Sequence, residues 1–244
     1  MKGKEDTIRS INYRMGRGKQ LLTMAEKTAR MIRHLPFIRG IYISGDLSKG
    51  VATTDSDIDF FIISAPQRVY LSKLFLALFR RIFFLNPKKL LCFNYILDER
   101  HLELDDKNHF VAMEIAYLRM LYNQDLFDKF LAANGWVTEF VPRYRSVHAG
   151  VNKLYLKKSK IQGIVELFFN NPVGKFLDRS LMYLWRYSCS VKYRKHDSIR
   201  NSFMNGTQRS FCKIHDSNRK VRILDQYNKR MHKMGLTQVV IKTG

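Results

Sequence analysis

The sequence predicts a mixed α/β (α+β) protein, in which a mixed β-sheet flanked by helices is followed by a mostly helical, basic C-terminal region. Short apolar runs rich in β-branched and aromatic residues predict the strands, and longer segments with apolar residues at helical spacing predict the helices. Charge shifts along the chain: residues 1–150 carry 23 basic and 16 acidic side chains, whereas residues 151–244 carry 20 and 5. We therefore expect two domains, 1–145 and 146–244, with the boundary near 142–150.

Apolar spacing predicts helices over 20–34, 69–84 and 109–122, and Pro36 ends the first of them. The composition of three further segments predicts strands over 38–44, 58–63 and 89–97. Residues 45–54 are polar and contain glycine, which is typical of a loop. The region after residue 150 is predicted to be mainly helical, including its last segment, 221–234.

The composition excludes several classes of protein. The chain has 244 residues, of which 45% are apolar and 26% charged, so it is long and apolar enough for a sizeable core. Three widely spaced cysteines without a CxxC pair favour a reducing compartment. The N-terminal segment is too polar for a signal peptide, and charges interrupt the longest apolar stretch. We expect a cytoplasmic protein without a transmembrane segment.

The most informative stretch contains two aspartates, Asp57 and Asp59, at the start of an apolar strand. Side chains two residues apart lie on one face of a strand, while Ile58 and Phe60 point to the other face. Two adjacent carboxylates repel each other, and a divalent cation relieves the repulsion. Oxygen ligands of this kind suit Mg²⁺, especially when substrate phosphates complete its shell. The alternative is a solvated strand end that follows a polar turn.

A second feature is the turn that follows the strand 38–44. Ser44 and Gly45 open it, and Ser48, Lys49 and Gly50 follow. Glycine allows backbone N–H groups to approach phosphate oxygens closely. The pattern therefore favours a phosphate-binding turn, and ordinary loop solvation is the alternative. Its glycine spacing is also that of a Walker A loop, but the required Lys-Ser/Thr is missing.

The strand 41–43, the glycine turn and the segment Asp57-Ile58-Asp59-Phe60 together resemble the DNA polymerase β-like nucleotidyltransferase superfamily. The likeness is greatest to minimal nucleotidyltransferase-domain proteins of bacteria, which carry SGSLSKG…SDIDFFII. The phrases CFNYIL, HLEL and AANGWV, in residues 92–97, 101–104 and 132–137, are also similar to that group. The resemblance covers roughly residues 20–140. It implies a nucleotidyltransferase-type mixed sheet.

The resemblance also implies a reaction: transfer of a nucleoside monophosphate from a nucleoside triphosphate to an acceptor, with release of pyrophosphate. Asp57 and Asp59 are then the catalytic metal ligands for Mg²⁺, with Mn²⁺ as the alternative ion. The nucleotide-binding residues implied are those of the turn: Ser44, Gly45, Asp46, Ser48 and Lys49.

Two positions depart from the family pattern. Asp46 stands where the family has serine, and Ser48 is the nearest hydroxyl that can compensate for it. For the third catalytic carboxylate, Glu103 has the expected apolar neighbours, whereas Asn94 on the neighbouring strand cannot act as a base. Glu114 is interpreted as a surface or capping residue. These departures favour one rival function, a catalytically impaired nucleotidyltransferase scaffold that binds nucleic acid.

The basic C-terminal region supplies candidate nucleic-acid contacts. Aromatic residues alternate there with four cations: Arg186, Lys192, Arg194 and Lys195. Aromatic and cationic side chains together stack bases and bind phosphates, which favours RNA or another polyanion as partner. The alternative is an amphipathic helix whose aromatic residues belong to the core. A membrane-surface role, a zinc site at Cys212-x-x-His215 and dependence on an unidentified protein partner are weaker hypotheses.

Overall fold

The computed structural model describes residues 2–53, 56–84, 91–142 and 160–213. It contains a five-stranded mixed sheet with helices on both faces, so the α+β fold class is confirmed. The strands are β1 (Ile38–Ser44), β2 (Ile58–Ser64), β3 (Leu91–Asp98), β4 (Arg119–Tyr122) and β5 (Phe211–Lys213). The helices are α1 (Lys2–Ile32), α2 (Gly45–Ser48), α3 (Val69–Phe84), α4 (His109–Ala116), α5 (Gln124–Ala133), α6 (Lys160–Phe169), α7 (Pro172–Lys192) and α8 (Asp197–Asn205), with a 3₁₀ turn at Gly135–Glu139.

The strand order is β4-β1-β2-β3-β5. The β2–β3 pair is parallel and the other three pairs are antiparallel. In β2, Phe60 and Ile62 belong to a core cluster with α1, α3 and Met182 of α7. Phe61 and Ile63 belong to a second cluster with α4 and α5. The period of two in β2 therefore directs alternate side chains into the two helical layers.

Most of the expected elements are present, with small shifts of their ends. The helix predicted over 20–34 is the last part of α1, and the strand predicted over 89–97 is described from Leu91. The predicted loop 45–54 begins with the single turn of α2. The domain boundary at 143–150 and the helix over 221–234 lie outside the described residues.

The helix predicted over 109–122 is wrong in its last part. The chain leaves α4 at Tyr117, and Arg119–Tyr122 forms the edge strand β4. The last part of the segment is apolar except for Arg119, so helical and strand periodicities cannot be distinguished over so few residues. Pairing with β1 decides the outcome because it satisfies the backbone groups along the β1 edge.

The C-terminal region is mainly helical where it is described, and it also contributes β5 to the sheet. Cys212 of β5 and Met182 of α7 lie in the same core cluster as α1 and α3. Residues on both sides of the predicted domain boundary therefore share one core. Among the described residues, no helix is both long enough and apolar enough to cross a bilayer.

Candidate functional site

Ser44 and Asp59 come together because β1 and β2 are paired antiparallel, with these two residues opposite each other. The Ser44 hydroxyl donates to the backbone carbonyl of Asp59 at 3.4 Å. Asp57 lies just before β2 and is half-buried, whereas the Asp59 side chain is buried. The end of β1, with the turn that follows it, is thus placed beside the two aspartates.

The parallel partner strand adds Cys92, which lies opposite Asp59 in the β2–β3 register. Ligand atoms of Asp57, Asp59 and Cys92 all lie within 4.8 Å of one another. Among the described residues, this converging group contains no third carboxylate. Burial and, to a smaller extent, the charges of Asp59 and Asp57 together raise the pKa of the Cys92 thiol to about 12. Cys92 is therefore a protonated thiol in this group.

Asn94 occupies a β-bulge in β3: Phe93 pairs with Phe60 and Tyr95 with Phe61, so Asn94 is the extra residue. Its amide nitrogen donates to Asp59 Oδ1, and its amide oxygen accepts from the Cys92 thiol at 2.6 Å. Bulges redirect a side chain and are common beside functional sites. Here the bulge places a neutral amide against Asp59. The superfamily resemblance implies a carboxylate on a strand in this part of the chain.

Gly45 leaves room for Asp59. Its φ is +72°, and a β carbon at Gly45 would overlap Asp59 Oδ2. Glycine is therefore required for two reasons, the left-handed backbone and the close approach of a carboxylate. Gly50, at the far side of the turn, shares a φ of +72° but faces open space.

Glu114 of α4 joins the turn, which the sequence reasoning missed. Its Oε2 accepts from the Gly45 N–H at 3.2 Å, and its Oε1 forms an ion pair with Lys49. One carboxylate thus binds two of the groups expected to contact a nucleotide. No local sequence signal marks Glu114, because it lies 65 residues beyond Lys49 and only the packing of α4 beside the turn brings the two together.

The remaining turn residues have more local roles. The Ser48 hydroxyl donates to the Gly45 carbonyl at 2.9 Å, closing the single turn of α2. Asp46 is half-buried in the first turn of α2, and its carbonyl accepts from the Val51 N–H at 3.0 Å. The hydroxyl of Ser48 is therefore engaged within the turn itself.

Glu103 is not brought to the aspartates. Cys92 marks the end of β3 beside Asp59, and Glu103 follows the other end, after Asp98. The seven residues from Cys92 to Asp98 span on the order of 20 Å of extended strand. The Glu103 side chain is exposed and forms an ion pair with Lys107 at 2.6 Å. The position of Glu103 in the loop after β3, rather than its apolar neighbours in the sequence, determines which groups it contacts.

The four basic residues proposed for nucleic-acid contact divide into two kinds. Arg186 is half-buried and donates to the carbonyls of Met204 and Thr207, so it links α7 to the end of α8 and to the segment that follows it. Lys192, Arg194 and Lys195 are exposed.

The neighbouring aromatic residues divide in the same way. Trp185 packs against the core and Tyr193 stacks on Phe203, whereas Tyr183 and Tyr187 are exposed. Two of the four aromatic side chains are therefore packed against other residues, as expected for an amphipathic helix with an aromatic core face, and the other two are exposed.

No protein-family model matches the chain, and no curated protein is similar to it.

Proposed function

We propose that the chain is a Mg²⁺-dependent nucleotidyltransferase that transfers a nucleoside monophosphate from a nucleoside triphosphate to an acceptor. The observation that carries the proposal is the convergence of Asp57 and Asp59 beside the turn at Gly45. Two carboxylates so close together are favoured when a cation neutralises them.

The donor set fits Mg²⁺. Asp57 and Asp59 supply hard oxygen ligands, while the neighbouring Cys92 is held as a neutral thiol by burial, which raises its pKa. Mn²⁺, which also accepts oxygen ligands, is the alternative ion. When bound, the ion would neutralise charge on the transferring phosphoryl group. Asn94 and Gly45 hold Asp59 in place, the first by a hydrogen bond and the second by leaving room for the carboxylate.

The turn is the proposed triphosphate site. Gly45 offers a backbone N–H and Lys49 an ammonium group, and both already bind a carboxylate, that of Glu114. Groups that bind a carboxylate also suit phosphate oxygens. The reaction then depends on positioning and charge neutralisation, since the acceptor oxygen attacks the α-phosphorus and pyrophosphate leaves.

A second candidate is a catalytically impaired scaffold that binds RNA. The observation that favours it is Asn94: a neutral amide contacts Asp59, and Glu103 lies elsewhere. The exposed cations Lys192, Arg194 and Lys195 would supply phosphate contacts in that case.

The test is calorimetric binding of the four nucleoside triphosphates with and without Mg²⁺. We expect Mg²⁺-dependent binding that is lost in Asp57→Asn/Asp59→Asn. The matched control is Asp125→Asn/Asp128→Asn, which removes the same charge from exposed positions of α5. The site variant should remain folded, because it removes a repulsion.

Absence of triphosphate binding in the wild-type protein contradicts the enzyme proposal. The RNA-binding alternative is then tested directly. Charge reversal at Arg194 and Lys195 should weaken RNA binding and reduce its salt dependence, while the aspartate variant leaves RNA affinity unchanged.

A further inference from the structure

Exposed apolar side chains are concentrated on three helices, α3, α6 and α7. Helix α7 packs against both of the others. Among the described residues, sixteen large apolar side chains are exposed, and only Met31 and Val51 lie outside these helices. The fourteen on the three helices are Leu74, Leu78, Ile82, Phe83, Ile164, Leu167, Phe168, Val173, Phe176, Leu177, Tyr183, Leu184, Tyr187 and Val191. We call this set the apolar surface.

Helix α7 shows the pattern most clearly because it has two apolar faces. One face packs onto the protein through Met182, Trp185 and Cys189. The other carries Val173, Leu184, Tyr187 and Val191 at helical spacing, and each of these side chains is more than half exposed. An ordinary surface helix has a polar outer face, so the second apolar face requires its own explanation.

The end of α6 and the start of α7 carry some of the most exposed residues of the set. Leu167 and Phe168 are each 75% exposed, and Phe176 is 69% exposed. Fourteen side chains of this size together expose on the order of 1,000 Å². Helix α5, on the other layer, exposes Asp125, Asp128 and Lys129 instead.

The exposed charges on these helices are of one sign. Their only acidic residues are Glu166 and Asp178, and both are buried. Glu166 binds Arg39 and the Phe37 N–H, while Asp178 accepts from backbone N–H groups of α3. The exposed charges are therefore cationic: Arg81, Lys175, Arg179 and Lys192.

We propose that the apolar surface docks onto an anionic lipid bilayer. The aliphatic and aromatic side chains enter the boundary between headgroups and acyl chains, and the flanking cations bind lipid phosphates. Nine of the fourteen side chains are leucine, isoleucine or valine, which offer no stacking surface for bases, and this majority favours lipid over RNA at this face. A second copy of the chain would bring two cationic surfaces together, each from a protein of net charge +22.

The test is flotation of the full chain with phosphatidylcholine vesicles, with and without about 30% phosphatidylglycerol. We expect binding to the anionic vesicles that decreases at high salt. Phe168→Ser/Phe176→Ser should weaken binding roughly tenfold or more, because two aromatic side chains no longer insert. The matched control is Met31→Ser/Val51→Ser, which removes exposed apolar side chains from other positions.

Charge is tested separately with Lys175→Glu/Arg179→Glu. Loss of each cation should cost roughly fivefold in affinity for anionic vesicles. Lys129→Glu/Arg100→Glu makes the same change at exposed positions away from the three helices and should bind normally. Equal loss in this control would show that net charge alone directs binding, which overturns the proposal.

Two other outcomes overturn it. One is failure of the wild-type protein to bind anionic vesicles. The other is a lipid-free dimer, detected by sedimentation, that Phe168→Ser/Phe176→Ser converts to monomer, since the surface is then an interface between copies. Nucleotide binding at Gly45 and Asp59 is measured independently, so failure of either proposal leaves the other standing.

Discussion

Asp59 Oδ2 occupies the space that a β carbon would take at Gly45. Gly45 directly follows β1, Asp59 lies at the start of the neighbouring strand β2, and the left-handed backbone of Gly45 turns the chain around the carboxylate. The candidate site therefore depends on a missing side chain as much as on the charged ones.

Gly45→Ala should be strongly destabilising, by about 2–4 kcal/mol, because it combines a left-handed backbone with displacement of a buried carboxylate. Gly50→Ala is the matched control, since Gly50 has the same φ and open space around it. Gly50→Ala should lower the free energy of unfolding by about 1–2 kcal/mol, because only the left-handed backbone is strained. Urea unfolding measures both. Equal losses would mean that Asp59 moves aside without cost.

Glu114→Gln should tighten binding of inorganic triphosphate, because the wild-type carboxylate competes for the Gly45 N–H and the Lys49 ammonium. A charge-assisted hydrogen bond contributes about 1.5–3 kcal/mol, so we expect roughly tenfold tighter binding. Titration calorimetry with and without Mg²⁺ checks this. Glu103→Gln removes the same charge from a carboxylate paired with Lys107 and should change nothing. Weaker binding in Glu114→Gln would instead indicate that the carboxylate positions Lys49 for the ligand.

Glu166→Ala should destabilise the fold by about 3–5 kcal/mol. Glu166 binds both guanidinium nitrogens of Arg39 at 2.8 Å and the Phe37 N–H at 2.7 Å. Burial on its own lowers the pKa of Arg39, but the hydrogen bond and charge of Glu166 outweigh it, and the pKa is raised. Removing Glu166 leaves a half-buried cation without this partner. Glu103→Ala, which breaks an exposed ion pair, should cost less than about 1 kcal/mol by urea unfolding.

Asp178 predicts a pH dependence of stability. Burial raises its pKa from 3.8 to about 6, although hydrogen bonds from the N–H groups of Leu71 and Tyr70 and the charge of Arg68 oppose the rise. At a pH between these two pKa values, Asp178 is protonated in the folded state and ionised in the unfolded chain. Stability should therefore fall as the pH rises from about 4 to about 6.

Asp178→Asn keeps an acceptor for both N–H groups and should remove this slope, which amounts to on the order of 2–3 kcal/mol. Urea unfolding across the pH range measures it, with Asp128→Asn on exposed α5 as the control. An unchanged slope in Asp178→Asn would assign the pH dependence to other groups.

Residues close together in sequence were predicted well. The strands at 38–44 and 58–63 and the helix at 69–84 follow from periods of 2 and 3.6, which neighbouring residues encode directly. The helix predicted through 122 failed because competition between α4 and the edge of β1 is settled by pairing with a distant strand.

The partners of the candidate site were not predictable in the same way. Glu103 has a suitable local pattern and lies at the wrong end of β3, whereas Glu114 has no pattern and binds Lys49 and Gly45. Asn94 contacts Asp59 from a bulge in β3, and no local pattern in the sequence marks either the bulge or the contact.

The sequence by itself determined the local elements, the excess of positive charge and the positions of the two aspartates and the glycine turn. Only the tertiary structure decided that Cys92 and Asn94 accompany Asp59, that Glu114 binds the turn, and that one apolar face of α7 packs inward while the other is exposed. The physical reason is that the spacing of apolar residues along a helix or strand indicates only which of its sides is apolar. What covers that side depends on contacts between residues far apart in the chain.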